Sequence, residues 1–327
     1  TVVDADETGE LADGAIGLFI NNLNMALGIF KPVVAKQLPT FTALKLTAEQ
    51  TVIVQAEPGG GFGGKEEYPS MIALHAALLA KRVGKPVRMI YDRHEDLAAT
   101  TKRHPAIVRY RSGVGHDGTL VAQDIEVIMD GGAYCTLTPV VLSRGALHAG
   151  GPYRCPNVRI RARATRTNTP PNGAFRGFGA PQTQFAAETQ LNRIAEKIGM
   201  SPAEIRARNV YQVGDTTPTG QVLKDSVAGE EVLRLAVEGS GYERIRDETT
   251  RDLAAREGSG AMLPGPTQTS VDRVAHGIGL ALAWHGAGFT GSGEVHLASV
   301  ASVELAATGV VRVLIASTEM GQGTKTI

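Results

Sequence analysis

The sequence predicts an α+β protein, and three observations carry that prediction. Alternation of apolar and polar residues fills 106–129 and 157–167, helical periodicity dominates 181–257, and strand-like patterns return after 277. Strand groups on either side of a helical section indicate mixed sheets with packed helices rather than a regular βαβ repeat. Composition agrees: 39 glycines against only 16 aromatic residues describe a turn-rich chain with many close backbone approaches.

The 327 residues suffice for two domains. Lysine plus arginine equals aspartate plus glutamate at 33 each, so no global charge steers the chain toward nucleic acid or anionic lipid. No apolar run reaches the roughly 18 residues of a membrane span, and no signal-peptide pattern stands at the start. Two cysteines, Cys135 and Cys155, without CxxC spacing fit a reducing, cytoplasmic setting. They also exclude an iron–sulfur cluster or a Cys-based zinc site held by this chain alone. The histidines show no HExxH or HxH pattern. Because the chain opens at Thr1 and stops at Ile327, just past a glycine loop, it is read as a fragment or as one piece of a split protein.

Taken in order, 1–50 is the least legible stretch: an apolar run at 16–30 is cut short by Pro32 and Pro39. A buried strand is expected at Thr51–Gln55, then the loop Gly59-Gly60-Gly61-Phe62-Gly63-Gly64-Lys65. A helix follows to about Val83, with Pro69 in its first turn and Gly84 as its stop. Pro86–Tyr91 reads as a short strand. Ala106–Val114 and Leu120–Met129 read as a hairpin turning at His116-Asp117-Gly118-Thr119. In 157–167, Val158, Ile160, Ala162 and Ala164 alternate with Arg159, Arg161 and Arg163. No aromatic is interleaved with these arginines, so they are read as a solvated face, not a nucleic-acid surface. Helices are expected at 181–198 and 202–209, the latter opened by a capping box of Ser201 and Glu204, and near 230–238 and 242–257. Glu257–Ser270 reads as a linker, and 277–284, 294–305 and 310–317 as strands.

Gly59, Gly64 and Lys65 satisfy GxxxxGK between a strand and a helix, which raises the possibility of a triphosphate-binding loop. That chemistry needs a Ser or Thr next, to ligate magnesium. Glu66 and Glu67 stand there instead, and their carboxylates oppose a bound triphosphate. The loop still offers bare backbone to a bulky ligand and a helix N-terminus to an anion. A ligand-free glycine-rich turn is the plain alternative.

Two further segments make the pattern specific. Ala174-Phe175-Arg176-Gly177-Phe178-Gly179-Ala180-Pro181-Gln182 and Thr318-Glu319-Met320-Gly321-Gln322-Gly323, together with GGGFGGKE at 59–66, resemble three motifs of the xanthine dehydrogenase and aldehyde oxidase family, in the family's order. Ala180 replaces the family's glycine. The separations, 110 residues from Glu66 to Arg176 and 32 from Arg144 to Arg176, resemble those of a purine-hydroxylating member. The resemblance covers about 55–327 and is weak over 211–270. It implies a first molybdopterin-binding domain over 1–265 and the start of a second over 266–327, parts of a larger domain pair.

Carried over by position, the resemblance implies that Gly61, Phe62, Gly63, Arg176, Gly177, Gly321 and Gln322 bind the cofactor. Among these, Phe62 and Arg176 would approach the molybdenum centre through their backbone. Glu66, Arg144, Phe178, Phe289 and Thr290 would hold the substrate. These types suit a flat heterocycle: aromatic faces stack on it, a buried Glu bonds a ring nitrogen, and an Arg steadies charge growing on a ring oxygen. Glu66 as a helix cap, Arg144 as a surface arginine and Phe178 as core packing are the plain alternatives.

The implied enzyme hydroxylates a purine-like or other N-heterocyclic substrate, with water as oxygen source. An aldehyde oxidoreductase or carbon monoxide dehydrogenase-like member is the alternative, and a non-catalytic cofactor-binding or assembly subunit is the alternative of another class. The cofactor implied is molybdopterin, or its cytosine dinucleotide form, with molybdenum. Iron–sulfur clusters and FAD would reside on partner subunits or further domains, and the rest of the molybdenum domain is itself an expected partner. The family's Thr-Gln pair ahead of the first loop has no convincing counterpart; only Gly28-Ile29-Phe30-Lys31 and Gln37 stand there. The family's general base is expected beyond Ile327, so no catalytic base is named and the chain alone is expected to be inactive.

Overall fold

A parallel pair of short strands, β1 (Ile16–Phe19) and β2 (Thr51–Val54), precedes the first glycine loop. The structure is a computed structural model that describes residues 16–19, 44–46, 51–54, 59–258, 276–286, 301–315 and 323. Helix α1 (Tyr68–Val83) follows the loop with Pro69 in its first turn, and Gly84, at φ 63°, ends it by returning its N–H to the Ala80 carbonyl. The strand expected at 86–91 does not form. Ile90 is 62% exposed, so no sheet face rewards extension there. Instead Asp92 opens α2 (Arg93–Ala99) with a capping box: its carboxylate accepts from Glu95 N–H, and Glu95 accepts from Asp92 N–H.

The central sheet is built on β4. Its neighbour β3 (Ala106–Val114) runs antiparallel to β4 (Leu120–Gly132), as the hairpin reading expected, and Asp117 accepts the Thr119 N–H in the turn. On its other side β5 (Asn157–Arg166) pairs with β4 in parallel. A parallel pair requires a crossover, and here the crossover contains α3 (Thr138–Leu147), the helix that carries Arg144. Ile125, Val127 and Met129 of β4 point inward and are fully buried. The intervening Asp124 and Glu126 face outward, where Arg159 and Arg161 pair with Asp124 and Arg163 and Arg109 with Glu126. The arginine row is thus a solvated, ion-paired face.

Four helices complete the layer: α4 (Ala180–Ile198), α5 (Pro202–Asn209), α6 (Gly229–Ser240) and α7 (Tyr242–Gly258). One core cluster joins Ile125, Val127, Met129, Val141 and Ala149 beneath the sheet. A second joins Leu120, Tyr153, Leu191, Ile194, Ile205, Val210 and Leu282. Arg206 is fully buried and pairs with Glu188 at 2.8 Å, with the Tyr153 hydroxyl donating to the same carboxylate. Removing one partner of such a pair costs about 3–5 kcal/mol. The Ser201 cap differs from expectation: its Oγ accepts from Ala203 N–H and donates to Glu243, while Glu204 leans toward Arg208. The distant Glu243 takes the hydroxyl, so no reciprocal box closes.

Residues 276–286 make no ladder, contrary to the strand expected at 277–284. Their backbone is held by side chains of α4: Leu282 N–H donates to Glu188, Trp284 N–H donates to Gln184 Oε1, and Gln184 Nε2 donates to the Trp284 carbonyl. The expected pair of strands beyond is present as a hairpin, β6 (Ala301–Leu305) with β7 (Val311–Ile315). The expected boundary near 265 and the expected linker after 258 lie outside the described residues, as do 287–300 and 316–322.

Candidate functional site

The first glycine loop crosses the segment 173–179 backbone to backbone. Gly63 adopts φ +87°, and a Cβ there would stand 2.9 Å from the Ala174 carbonyl carbon and the Phe175 nitrogen. Only glycine permits that approach. Phe62 has φ 50° and Phe178 φ 49°, a left-handed backbone that costs a non-glycine residue about 1–2 kcal/mol. Phe62 is 64% exposed, and the Arg176 guanidinium lies 5.5 Å from its ring centre. Gly61, Phe62, Gly63, Arg176 and Gly177 are therefore brought together at one crossing. Gly321, Gln322, Phe289 and Thr290 lie outside the described residues.

Arg103, which the sequence did not single out, anchors the crossing. It donates to the Arg176 carbonyl at 2.6 Å and its guanidinium lies 4.6 Å from the Phe175 ring centre. Next to it, Gln182 donates to the His104 carbonyl. Beneath the loops is a set of buried polar atoms, Glu67 Oε2, Thr101 Oγ1 and His104 Nδ1, with no hydrogen-bond partner among the described residues. Gly173 abuts both Glu67 and Thr101, and a Cβ there would meet Glu67 Oε2. Burial pushes Glu66 up to about 7, and the charge of Glu67 adds to the rise. Burial likewise pushes Glu67 up to about 7, against the opposing bonds from Thr136 and the Leu137 backbone. Both carboxyls are therefore protonated donors below neutrality and acceptors above it.

Arg144 is 7% exposed, not a surface arginine. It reaches the second glycine segment because α3 and the start of α4 touch at small residues: a Cβ on Gly179 would collide with the Val141 carbonyl oxygen, and one on Gly145 with Met129. The guanidinium lies 5.9 Å from the Phe178 ring centre and donates to the Gly286 carbonyl at 3.3 Å. Phe178 is half-buried and also leans on the sheet core, so it packs and faces Arg144 at once. His285 stands between Arg144 and the Gly177 carbonyl, at 3.2 and 3.3 Å. No sequence signal marked His285 or His148, because lone histidines carry no spacing. Among the described residues no group of His, Cys, Asp or Glu is placed to hold a metal ion, and no helix is long and apolar enough to cross a membrane. A cavity of about 400 Å³ lined by Gly131, Tyr134, Cys135, Thr138 and Arg166 contains none of the candidate residues.

Two crossing glycine loops beside a buried arginine leave bare backbone open to a bulky group. Family comparison agrees. The molybdopterin cofactor-binding domain model matches residues 34–210, and a second model of that description matches 264–327. The chain belongs to the molybdopterin cofactor-binding family of the xanthine dehydrogenase and aldehyde oxidase type. It is 41% identical over 229 residues to the nicotinate dehydrogenase large molybdopterin subunit of Eubacterium barkeri, covering 67% of this chain and 53% of that protein. It is 39% identical over 166 residues to the xanthine dehydrogenase/oxidase of Mus musculus, covering 51% of this chain and 12% of that one. The aldehyde oxidoreductase structure from Desulfovibrio gigas superposes with TM-score 0.66 at 26% identity, over 95% of this chain and 31% of the other. The chain thus spans about half the length of the Eubacterium relative and smaller shares of the others. A molybdenum–pterin is the cofactor that these domains bind.

Proposed function

We propose that this chain is the molybdenum-cofactor-binding part of a hydroxylase for an N-heterocyclic substrate, and that 1–265 and 266–327 are its two cofactor-binding units. The observation that carries the reading is Arg144, a guanidinium nearly out of solvent and held beside the Phe178 ring. The guanidinium already donates to the Gly286 carbonyl, and its fork of N–H donors beside an aromatic face suits a ring oxo group or ring carboxylate as well. The name of the Eubacterium relative, a nicotinate dehydrogenase, points the same way.

The crossing fits the group. Gly61, Phe62, Gly63, Arg176 and Gly177 present backbone that a Cβ at Gly63 would block, and Arg176 sets a cation beside it for an anionic pterin. Gly321 and Gln322 would complete the cradle. When bound, the molybdenum–pterin supplies the two-electron acceptor for oxidation of a ring carbon. The chain's own residues bind and orient. Glu66 hydrogen-bonds a ring nitrogen as donor below about pH 7 and as acceptor above it. Arg144 holds a ring oxygen or carboxylate and stabilises negative charge there. Phe178, and Phe289 with Thr290, would bound the ring. Electrons would leave through iron–sulfur and FAD subunits in the cytoplasm, and the remainder of the molybdenum domain is part of the working assembly.

The test compares kcat/KM for nicotinate-type or purine-type rings with that for a simple aromatic aldehyde, in the molybdenum-loaded assembly. Glu66→Val with Arg144→Met should depress heterocycle turnover by roughly ten-thousand-fold while aldehyde turnover falls far less, because buried polar groups are left unpaired only against the heterocycle. Equal losses for the two classes would refute the substrate assignment.

A further inference from the structure

One turn after Arg144, His148 has both ring nitrogens committed. Nδ1 lies 2.8 Å from the Arg144 carbonyl oxygen, which can only accept, so Nδ1 carries the proton. Nε2 lies 3.1 Å from the Gly286 N–H, which can only donate, so Nε2 holds the lone pair. The ring is neutral, and 3% exposed. Arg144 grips the same residue from the other side by donating to the Gly286 carbonyl, and it meets His285 next door. Trp284 lies against His148 and Tyr211, with ring centres 5.5 and 5.4 Å away.

We propose that His148 is a positioning residue: by accepting the Gly286 N–H it seats residues 284–286 on α3, and that seat holds the Arg144 guanidinium in place for the heterocycle. The proposal rests on the reading of Arg144 as a substrate-binding residue. The geometry separates two jobs. Among the described residues His148 touches no candidate substrate residue through its ring except the Arg144 backbone, yet it fixes the residue whose carbonyl the guanidinium meets. Protonation would place a hydrogen on Nε2 facing the Gly286 N–H, two donors in opposition, and the seat would open. Burial of His148 opposes that protonation, as do the neighbouring His285 on the seated segment and the Arg144 charge on its own helix, against the favourable pull of the Arg144 carbonyl. Neutral Gln184 faces the segment from α4, and Glu188 with Arg206 grips it further along at Leu282.

The chain's single tryptophan is Trp284, so its emission reports the seat directly, without cofactor or turnover. In the 327-residue chain, emission should be that of a partly buried indole at pH 8 and shift red on acidification, with a midpoint below the ordinary histidine value of 6.5. His148→Leu should be red-shifted already at pH 8 and lose the step. His148→Gln, whose carboxamide both donates and accepts, should keep the wild-type emission and lose only the step. In the molybdenum-loaded assembly, His148→Leu should raise KM for the heterocycle about tenfold with little change in kcat, and His148→Gln should restore it. Unchanged emission and KM in His148→Leu would overturn the proposal, as would a pH step that survives that substitution. Emission that behaves as expected in an assembly that turns over no N-heterocycle leaves the seat standing and removes the substrate reading.

Discussion

The β3–β4–β5 sheet and the crossing of the glycine loops are neighbours built on opposite principles. In the sheet, Ile125, Val127 and Met129 of β4 fill the core, the outward Asp124 and Glu126 meet arginines of the flanking strands, and Asp130 accepts from Thr167 and Thr169. At the crossing, two phenylalanines sit in left-handed backbone, two adjacent carboxyls are pushed up to about 7, and three buried polar atoms lack partners among the described residues. The sheet resolves its charged groups locally, and Gln123 Oε1 is its one buried polar side-chain atom without a partner among the described residues. Functional crossings hold strain and unmet hydrogen-bonding capacity until a ligand arrives, and the surrounding scaffold supplies the stability they forgo.

Gly63→Ala tests this contrast most severely. A left-handed backbone and a 2.9 Å approach to two backbone atoms should together cost about 2–5 kcal/mol and empty the assembly of molybdenum. Gly84→Ala is the matched control: it also has positive φ, but open space surrounds it, so a loss of about 1–2 kcal/mol with full molybdenum content is expected. Similar thermal melts and metal contents for the two variants would mean that the crossing is no tighter than an ordinary helix end.

Glu67→Gln should act in the opposite direction. The folded state holds the Glu67 proton up to about pH 7, whereas the unfolded chain releases it near 4.5, so wild-type stability falls as pH rises through that window and levels off above it. Glutamine does not titrate. The variant should therefore melt higher than wild type by an amount that grows from pH 4.5 to 7 and reaches about 1–3 kcal/mol at pH 8. Glu66 should titrate lower in the variant, because the Glu67 charge is one cause of its rise. A melting difference independent of pH would show that the two carboxyls are not buried as described.

The sheet supplies the smallest effect. Arg159→Ala removes a short ion pair with Asp124, but Arg159 is open to solvent, Asp124 is partly so, and Arg161 remains beside the carboxylate. No resolvable change in melting temperature is expected. A clear loss would mean that the outer face is covered by something that desolvates it.

How much of this was legible depended on how local the cause was. The hairpin, α1, α4 and α5 follow from alternation, proline placement and glycine stops within each segment. Glycine loops at 59–64 and 177–179 were legible because backbone approach leaves a compositional mark. The short α2 was missed since its capping box lies in a stretch with too few apolar residues to show a period. Read as a strand, 277–284 does alternate, but side chains a hundred residues away take its hydrogen bonds. His148, His285 and Arg103 act through distance in the fold, and nothing near them in the chain announces it.

Gln184 and Glu188 are one helical turn apart, and they grip Trp284 and Leu282, which are two residues apart in extended chain. Four residues of helix rise about 6 Å and two of strand about 6.6 Å, so α4 works as a ruler for the segment laid along it. Gln184 offers its carboxamide oxygen and nitrogen to both polar groups of Trp284, as the backbone of a neighbouring strand would. The consequence is a rule about permitted change. Residues 281 and 283 face solvent and are free to vary in kind, whereas a single residue inserted or deleted between 282 and 286, or between 184 and 188, puts every contact out of step. Length, more than identity, is what this stretch must conserve.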